Sequence, residues 1–216
     1  GAPLVPPTSK APTSALASPT DHSIYKSVPQ LTDQQTLLFT GDSITDCGRA
    51  RPIGSTHENG LGDGYVALID ATLAATHPQS SIRVLNSGIS GNRVTDLKER
   101  WQTDVLNHTP DCLSIMIGIN DVWRHFDTPN DPAPVTPEIF KSTYRELLKS
   151  IPENTTTLLA TPFLIEADSN DSILKMMNHY GTIVKDLANE FETHFVDTQA
   201  AFNEYLSHRS SQTLAE

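Results

Sequence analysis

The chain has 216 residues, 37% of them hydrophobic and 19% charged, which suits one globular domain with a sizeable core and excludes a disordered polymer. A formal net charge of -11 disfavours nucleic acid and anionic membrane surfaces as partners, because both are held by basic patches. No apolar run reaches the roughly 18 residues that a membrane-spanning helix needs, and two cysteines cannot build a disulfide framework.

Residues 1–30 read as a flexible lead, with five prolines among Ser, Thr and Ala in the first 20 positions. Gly1 stands where an initiator Met is usual and reads as a cleavage scar. A start at Ala2 then favours an exported protein, secreted or periplasmic, over a cytoplasmic one.

From residue 36 onward, strand-like and helix-like segments alternate, as in a parallel sheet covered by helices. The run Thr36–Thr40 is apolar and β-branched and reads as a buried strand entering the turn Gly41-Asp42-Ser43. The first polar side chains after such a strand stand at the C-terminal edge of the sheet, where open α/β sheets bind ligands. A serine held there can serve as a nucleophile. Asp42 reads as a brace for the turn.

Further on, Tyr65, Leu68, Ile69 and Leu73 share the face of a helix. Gly60-Leu61-Gly62-Asp63-Gly64 has the look of a phosphate loop, but it follows no strand and lacks the Lys-Ser/Thr of one. A strand over Ile82–Asn86 leads into Ser87-Gly88-Ile89-Ser90-Gly91-Asn92, and Val94, Leu97, Trp101 and Val105 follow helical spacing. The strand Leu113–Ile117 ends at Gly118-Ile119-Asn120-Asp121, with Asp121 read as structural. Trp123 and Phe126 suit either a substrate wall or ordinary packing. Thr136-Pro137 reads as an N-cap followed by Pro at the first helical position, ahead of Phe140, Tyr144, Leu147 and Ile151. A strand over Thr157–Thr161 precedes a long helix stepping through Ile173, Met177, Tyr180, Val184, Leu187 and Phe191, where the methionines read as core filling. The strand His194–Asp197 and a short helix Thr198–Leu206 complete the pattern. Cys47 then falls past the end of the first strand and Cys112 at the start of a later one. Two free thiols are expected.

Three loops thus meet at one sheet edge. The N–H of Ser43, the N–H of Gly88 and the side-chain amide of Asn120 are the expected donors to an oxyanion. On these residues the chain resembles the SGNH hydrolases, also called GDSL esterases and lipases. Leu38-Phe39-Thr40-Gly41-Asp42-Ser43-Ile44-Thr45-Asp46 is similar to the first block of that family, with Ile in place of its usual Leu. Asn86 through Asn92 is similar to the second block, and Gly118-Ile119-Asn120-Asp121 to the third, Gly-x-Asn-Asp.

The resemblance implies a three-layer α/β/α, flavodoxin-like domain with five parallel strands in the order 2-1-3-4-5. It implies Ser43 as the nucleophile, Gly88 and Asn120 as oxyanion donors, and neither metal nor cofactor. It also implies hydrolysis of a small-molecule or carbohydrate ester, with a short acyl group such as acetyl. Lysophospholipid and thioester substrates, acyl transfer, and a catalytically silent binding protein on the same scaffold are the alternatives.

The family's fourth block, Asp-x-x-His near the C-terminus, supplies the base and its aspartate. None of the eight histidines here has Asp three residues before it. The expectation is therefore a domain over residues 31–216 cut short before that block, with little activity as it stands and with apolar sheet surface left open. His57 and His125 are the alternative bases.

Overall fold

The structure is a computed structural model describing residues 29–166 and 168–208. Most of the expected lead, and the stretch where the chain was expected to be cut short, lie outside the described residues. Five parallel strands, β1 (Thr36–Gly41), β2 (Arg83–Asn86), β3 (Cys112–Met116), β4 (Thr156–Ala160) and β5 (His194–Val196), form one sheet in the order β2-β1-β3-β4-β5. Pairing runs from Leu37↔Cys112 to Gly41↔Met116 between β1 and β3, so both strands end level with the first turn. The expected strands match these within a residue or two at each end. Short runs dense in Leu, Ile, Val and Thr are what a sheet buried on both faces requires.

Alternate residues face opposite layers. Leu38, Leu85, Leu113, Ile115, Leu159 and Phe195 point to the larger core. It is closed by α3 (Val94–Glu99), α4 (Trp101–Asp104), α5 (Ile119–Asp127), α6 (Pro137–Lys149) and α7 (Ser172–Glu190). Leu37, Phe39, Val84 and Cys112 point the other way, against α2 (Tyr65–Thr76). The remaining helices are the single turn α1 (Ser43–Asp46) and α8 (Thr198–Ser207).

On the second face, α2 and α8 leave an apolar cavity of about 650 Å³ between them. It is floored by Phe39, Met116, Leu158 and Val196 and walled by Tyr65 and by Phe163, which stacks on Phe202.

Two helices differ from the sequence reading. α2 is rotated: Val66 is its buried residue and Leu68 is 70% exposed, while Tyr65, Ile69 and Leu73 form the inner stripe. The segment from Val94 to Val105 is not one helix. It breaks at Arg100, yet Val94, Leu97, Trp101 and Val105 are all buried. The Thr136 cap is as expected, its side chain accepting from the Ile139 N–H with Pro137 next in line. Met177 is fully buried in the core, and Cys47 and Cys112 are free thiols. Among the described residues no helix is long and apolar enough to cross a membrane.

Tyr144 is fully buried against Phe140, and among the described residues its hydroxyl has no hydrogen-bond partner. A buried polar group without a partner costs about 1–3 kcal/mol. Tyr144→Phe should therefore raise the stability by about 1 kcal/mol in urea denaturation. A loss of stability would show that the hydroxyl is satisfied after all.

Candidate active site

β1 delivers the first turn. A Cβ on Gly41 would stand 2.2 Å from the Met116 carbonyl oxygen, so only glycine lets β1 and β3 close here. The Asp42 carboxylate then caps α1, accepting from the Ile44 N–H at 3.0 Å. Asp42 and Thr45 are buried, whereas Ser43 between them is exposed. Neither the N–H nor the hydroxyl of Ser43 has a hydrogen-bond partner among the described residues.

The second loop, after β2, is held from all sides. The Ile89 N–H donates to the Gly41 carbonyl at 3.1 Å. Arg49 Nε donates to the Gly88 carbonyl at 2.8 Å. Asp46 accepts from both the N–H and the hydroxyl of Ser90. The guanidinium of Arg100 reaches three acceptors at once: the Ser87 carbonyl at 2.6 Å, the Gly41 carbonyl at 2.9 Å and Asn92 Oδ1 at 2.6 Å. Its planar fork suits this task, since it presents five donors in fixed directions.

The third loop, after β3, joins the second. Asn120 Nδ2 donates to the Asn92 carbonyl at 3.0 Å. An amide nitrogen carries two hydrogens, so the second remains for a ligand. Asp121, fully buried, accepts from the Val94 N–H with both carboxylate oxygens. The structure thus brings the loops carrying Ser43, Gly88 and Asn120 together.

It does not leave Gly88 free. The Gly88 N–H donates to Asn86 Oδ1 at 2.9 Å, and the residue is buried. A Cβ there would lie 2.4 Å from the Asp46 nitrogen, so this glycine lets the second loop pack on the first turn. The expected donor role is corrected accordingly. Gly91 has the properties expected of Gly88: it is exposed, lies at φ +82°, has open space around its Cα, and its N–H has no partner among the described residues. The shared pattern of two glycines in one loop gave no sign of which was which.

Neither alternative base faces Ser43. The His125 ring nitrogen Nε2 lies 3.0 Å from the Val135 carbonyl and 3.3 Å from the Tyr180 hydroxyl, on the core side of α5. His57 Nδ1 accepts from the Asn59 N–H. Gly62, in the glycine-rich stretch, packs at φ +76° on the carbonyls of Asp46 and Cys47, which serves packing and not phosphate. Among the described residues no cluster of His, Cys, Asp or Glu could hold a metal.

The two carboxyls flanking the site are costly. Burial pushes Asp42 up to about 7, against the Ile44 hydrogen bond. Burial likewise pushes Asp121 up to about 7, with the charge of Asp42 adding to the rise. Asp46 goes the other way. Burial would raise its pKa, but hydrogen bonds from Arg51 and Ser90 outweigh that and hold it below the ordinary value.

Two outcomes follow from this geometry. Arg100→Ala leaves the Ser87 carbonyl without its donor and should cost about 2–3 kcal/mol of stability, and Arg100→Lys should recover little because a point charge cannot span three acceptors. Chemical denaturation of both variants checks this, and full recovery by Lys would refute the fork. Asp121 has an unfolded pKa near 3.8 and a folded one of about 7. Between those values the folded state holds the extra proton, so the stabilisation is complete at low pH and is lost as the pH rises. Asp121→Asn should gain stability relative to the parent between roughly pH 4 and pH 8, and a flat difference would contradict a protonated Asp121.

The sequence profile of the GDSL-like lipase/acylhydrolase family matches residues 39–213. An acetylxylan esterase of Geobacillus stearothermophilus is 51% identical over 172 residues, covering 79% of this chain and 78% of that protein. Its crystal structure superposes with a TM-score of 0.80 at 48% identity over 84% of each chain. Solved catalytic mutants of that enzyme replace a serine, an aspartate and a histidine by alanine. An alpha/beta hydrolase enzyme from the metagenome of Lake Arreo, Spain, also superposes with a TM-score of 0.80, at 39% identity over 84% of this chain and 85% of its own. With sequence and fold agreeing over most of its length, the chain belongs to the GDSL-like lipase/acylhydrolase family.

Proposed function

We propose that this serine esterase removes acetyl groups from an acetylated xylan-type saccharide, with Ser43 as the nucleophile. The observation that carries the assignment is the exposed, unpartnered Ser43 hydroxyl beside two loops hydrogen-bonded to each other through Asn120 and Asn92. The Geobacillus relative, an acetylxylan esterase, supports the substrate class.

Ser43 Oγ attacks the acetyl carbonyl carbon and gives its proton to a base. The carbonyl oxygen becomes an oxyanion, which accepts hydrogen bonds from the second Nδ2 hydrogen of Asn120 and from the N–H groups of Gly91 and Ser43. The bond to the sugar oxygen then breaks, and that oxygen takes the proton. Water attacks the acetyl-serine by the reverse sequence and releases acetate. Donors fixed before the reaction cost no reorganisation when charge develops, which is the largest single contribution in acyl transfer. The catalytic mutants of the Geobacillus enzyme replace an aspartate and a histidine as well as a serine, which supports a histidine base oriented by an aspartate.

The test is acetate release from acetylated xylo-oligosaccharide by the full-length protein. Ser43→Ala should lower kcat by a factor on the order of 10⁶. Asn120→Ala should lower it by about 10²–10³, with KM little changed, because its bond is made to the charged state. Unchanged turnover in Ser43→Ala would overturn the assignment.

A further inference from the structure

α5 leaves two large aromatic side chains exposed to water. Trp123 is 42% exposed and Phe126 39% exposed. Core duty on this helix falls to Asp121 and Val122, with His125 turned toward Val135 and Tyr180. Trp123 is therefore not needed to close the core. Its position is fixed by helical geometry: it lies three residues after Asn120, and Arg124 lies four after. Residues at those spacings stand on one side of a helix, about 5 Å apart along its axis. Trp123 and Arg124 are thus the side chains one helical turn along α5 from the Asn120 amide.

A second observation concerns the space beside them. A cleft of about 280 Å³ opens between α5 and the second loop, lined by Gly91, Arg93, Asp96, Arg124, Thr128 and Asp131. Its walls are pre-built. Arg93 is paired with Asp96 at 3.3 Å and with Asp131 at 3.0 Å, and donates to the Ala133 carbonyl. Asp131 also accepts from the Ala133 N–H. Arg124 is paired with Asp127. Two guanidiniums against three carboxylates leave no cationic surplus, so phosphate or a carboxylated polymer gains nothing here. A neutral polyol gains donors and acceptors already held in place.

We infer that the Trp123 face of α5 and the adjoining Arg93–Asp131 cleft form the saccharide subsite of the enzyme, stacking one pyranose ring on the indole and hydrogen-bonding its hydroxyls. The inference rests on the acetyl-saccharide reading above. A pyranose has an apolar C–H face and a polar edge. Stacking the face on the exposed indole removes apolar area from water, and the charged rim satisfies the edge. The acetylated hydroxyl then projects toward Gly91, which lines the cleft and carries one of the assigned oxyanion donors.

Two measurements separate the possibilities. In kinetics, Trp123→Ala should lower the preference for acetylated xylo-oligosaccharide over 4-nitrophenyl acetate, as a ratio of kcat/KM, by about tenfold, mainly through KM, and Trp123→Phe should restore most of it. An equal loss on both esters would mean a structural role and would overturn the subsite. In binding, which needs no turnover, xylohexaose is titrated calorimetrically into Ser43→Ala and into the same variant carrying Trp123→Ala. Saturable heat in the first that weakens about tenfold in the second supports the subsite. No heat in the first, or equal affinity in both, overturns it. If the esterase reading alone were wrong, Ser43→Ala would keep full turnover while the binding result stood.

Discussion

One guanidinium ties the site together. Arg100 donates to the carbonyl that ends β1, to the carbonyl that follows β2 and to the side chain of Asn92, whose own carbonyl receives Asn120. The three loops after β1, β2 and β3 are therefore links of one hydrogen-bonded chain. Arg100 is also where the helix over 94–105 breaks, its backbone at φ -103°, ψ 5° and outside helical geometry. Asp104 pairs with the same guanidinium at 3.3 Å, giving the half-buried cation a counter-charge. A local departure from helix geometry thus goes with convergence of the loops.

Around that knot the polar interior is dense. Asn86 is fully buried and donates to the carbonyls of Thr45 and Leu61 while accepting from Gly88. Asp46 takes Ser90 on one side and Arg51 on the other. Each bond removes a degree of freedom from the second loop before any substrate arrives. That is the condition for donors to act on an oxyanion without first being ordered. Stability is given up in exchange. Asp42 and Asp121 are carboxyls buried within reach of each other's charge, and burial disfavours their ionised forms.

Much of this was legible in the sequence, and the reason is period. Buried parallel strands show as short apolar runs, and all five lie within a residue or two of their expected places. Thr136-Pro137 announced a helix start because a cap and a proline at the first turn are local chemistry. Local patterns were less decisive about direction. Leu68 fits the helical stripe of α2 as well as Val66 does, and only the sheet beneath decides that Val66 goes inside. The two glycines of the second loop were interchangeable on paper. Gly88 proved to be a contact with the Asp46 backbone, and Gly91 an open left-handed turn. Beyond its i,i+4 spacing to Asp104, Arg100 left little sequence signal, because the two carbonyls and the Asn92 side chain it joins are brought near only by the fold.

The seven residues from Gly118 to Arg124 show how one short segment can serve several neighbours. Gly118 sits at φ +136°, with a Cβ position 2.9 Å from Pro162, so it alone allows the chain to turn from β3 into α5. From there each step of about 100° aims the next side chain elsewhere. Asn120 goes to the second loop, Asp121 inward to the Val94 N–H, Val122 into the core, Trp123 out to solvent and Arg124 to the cleft beside the second loop. Moving the helix start by one residue would send the amide inward and the carboxylate outward. The register set at Gly118 therefore couples the Asn120 amide to the exposed side of α5: a change in how α5 seats on α7 alters both, whereas a change at Trp123 alters only the outer surface.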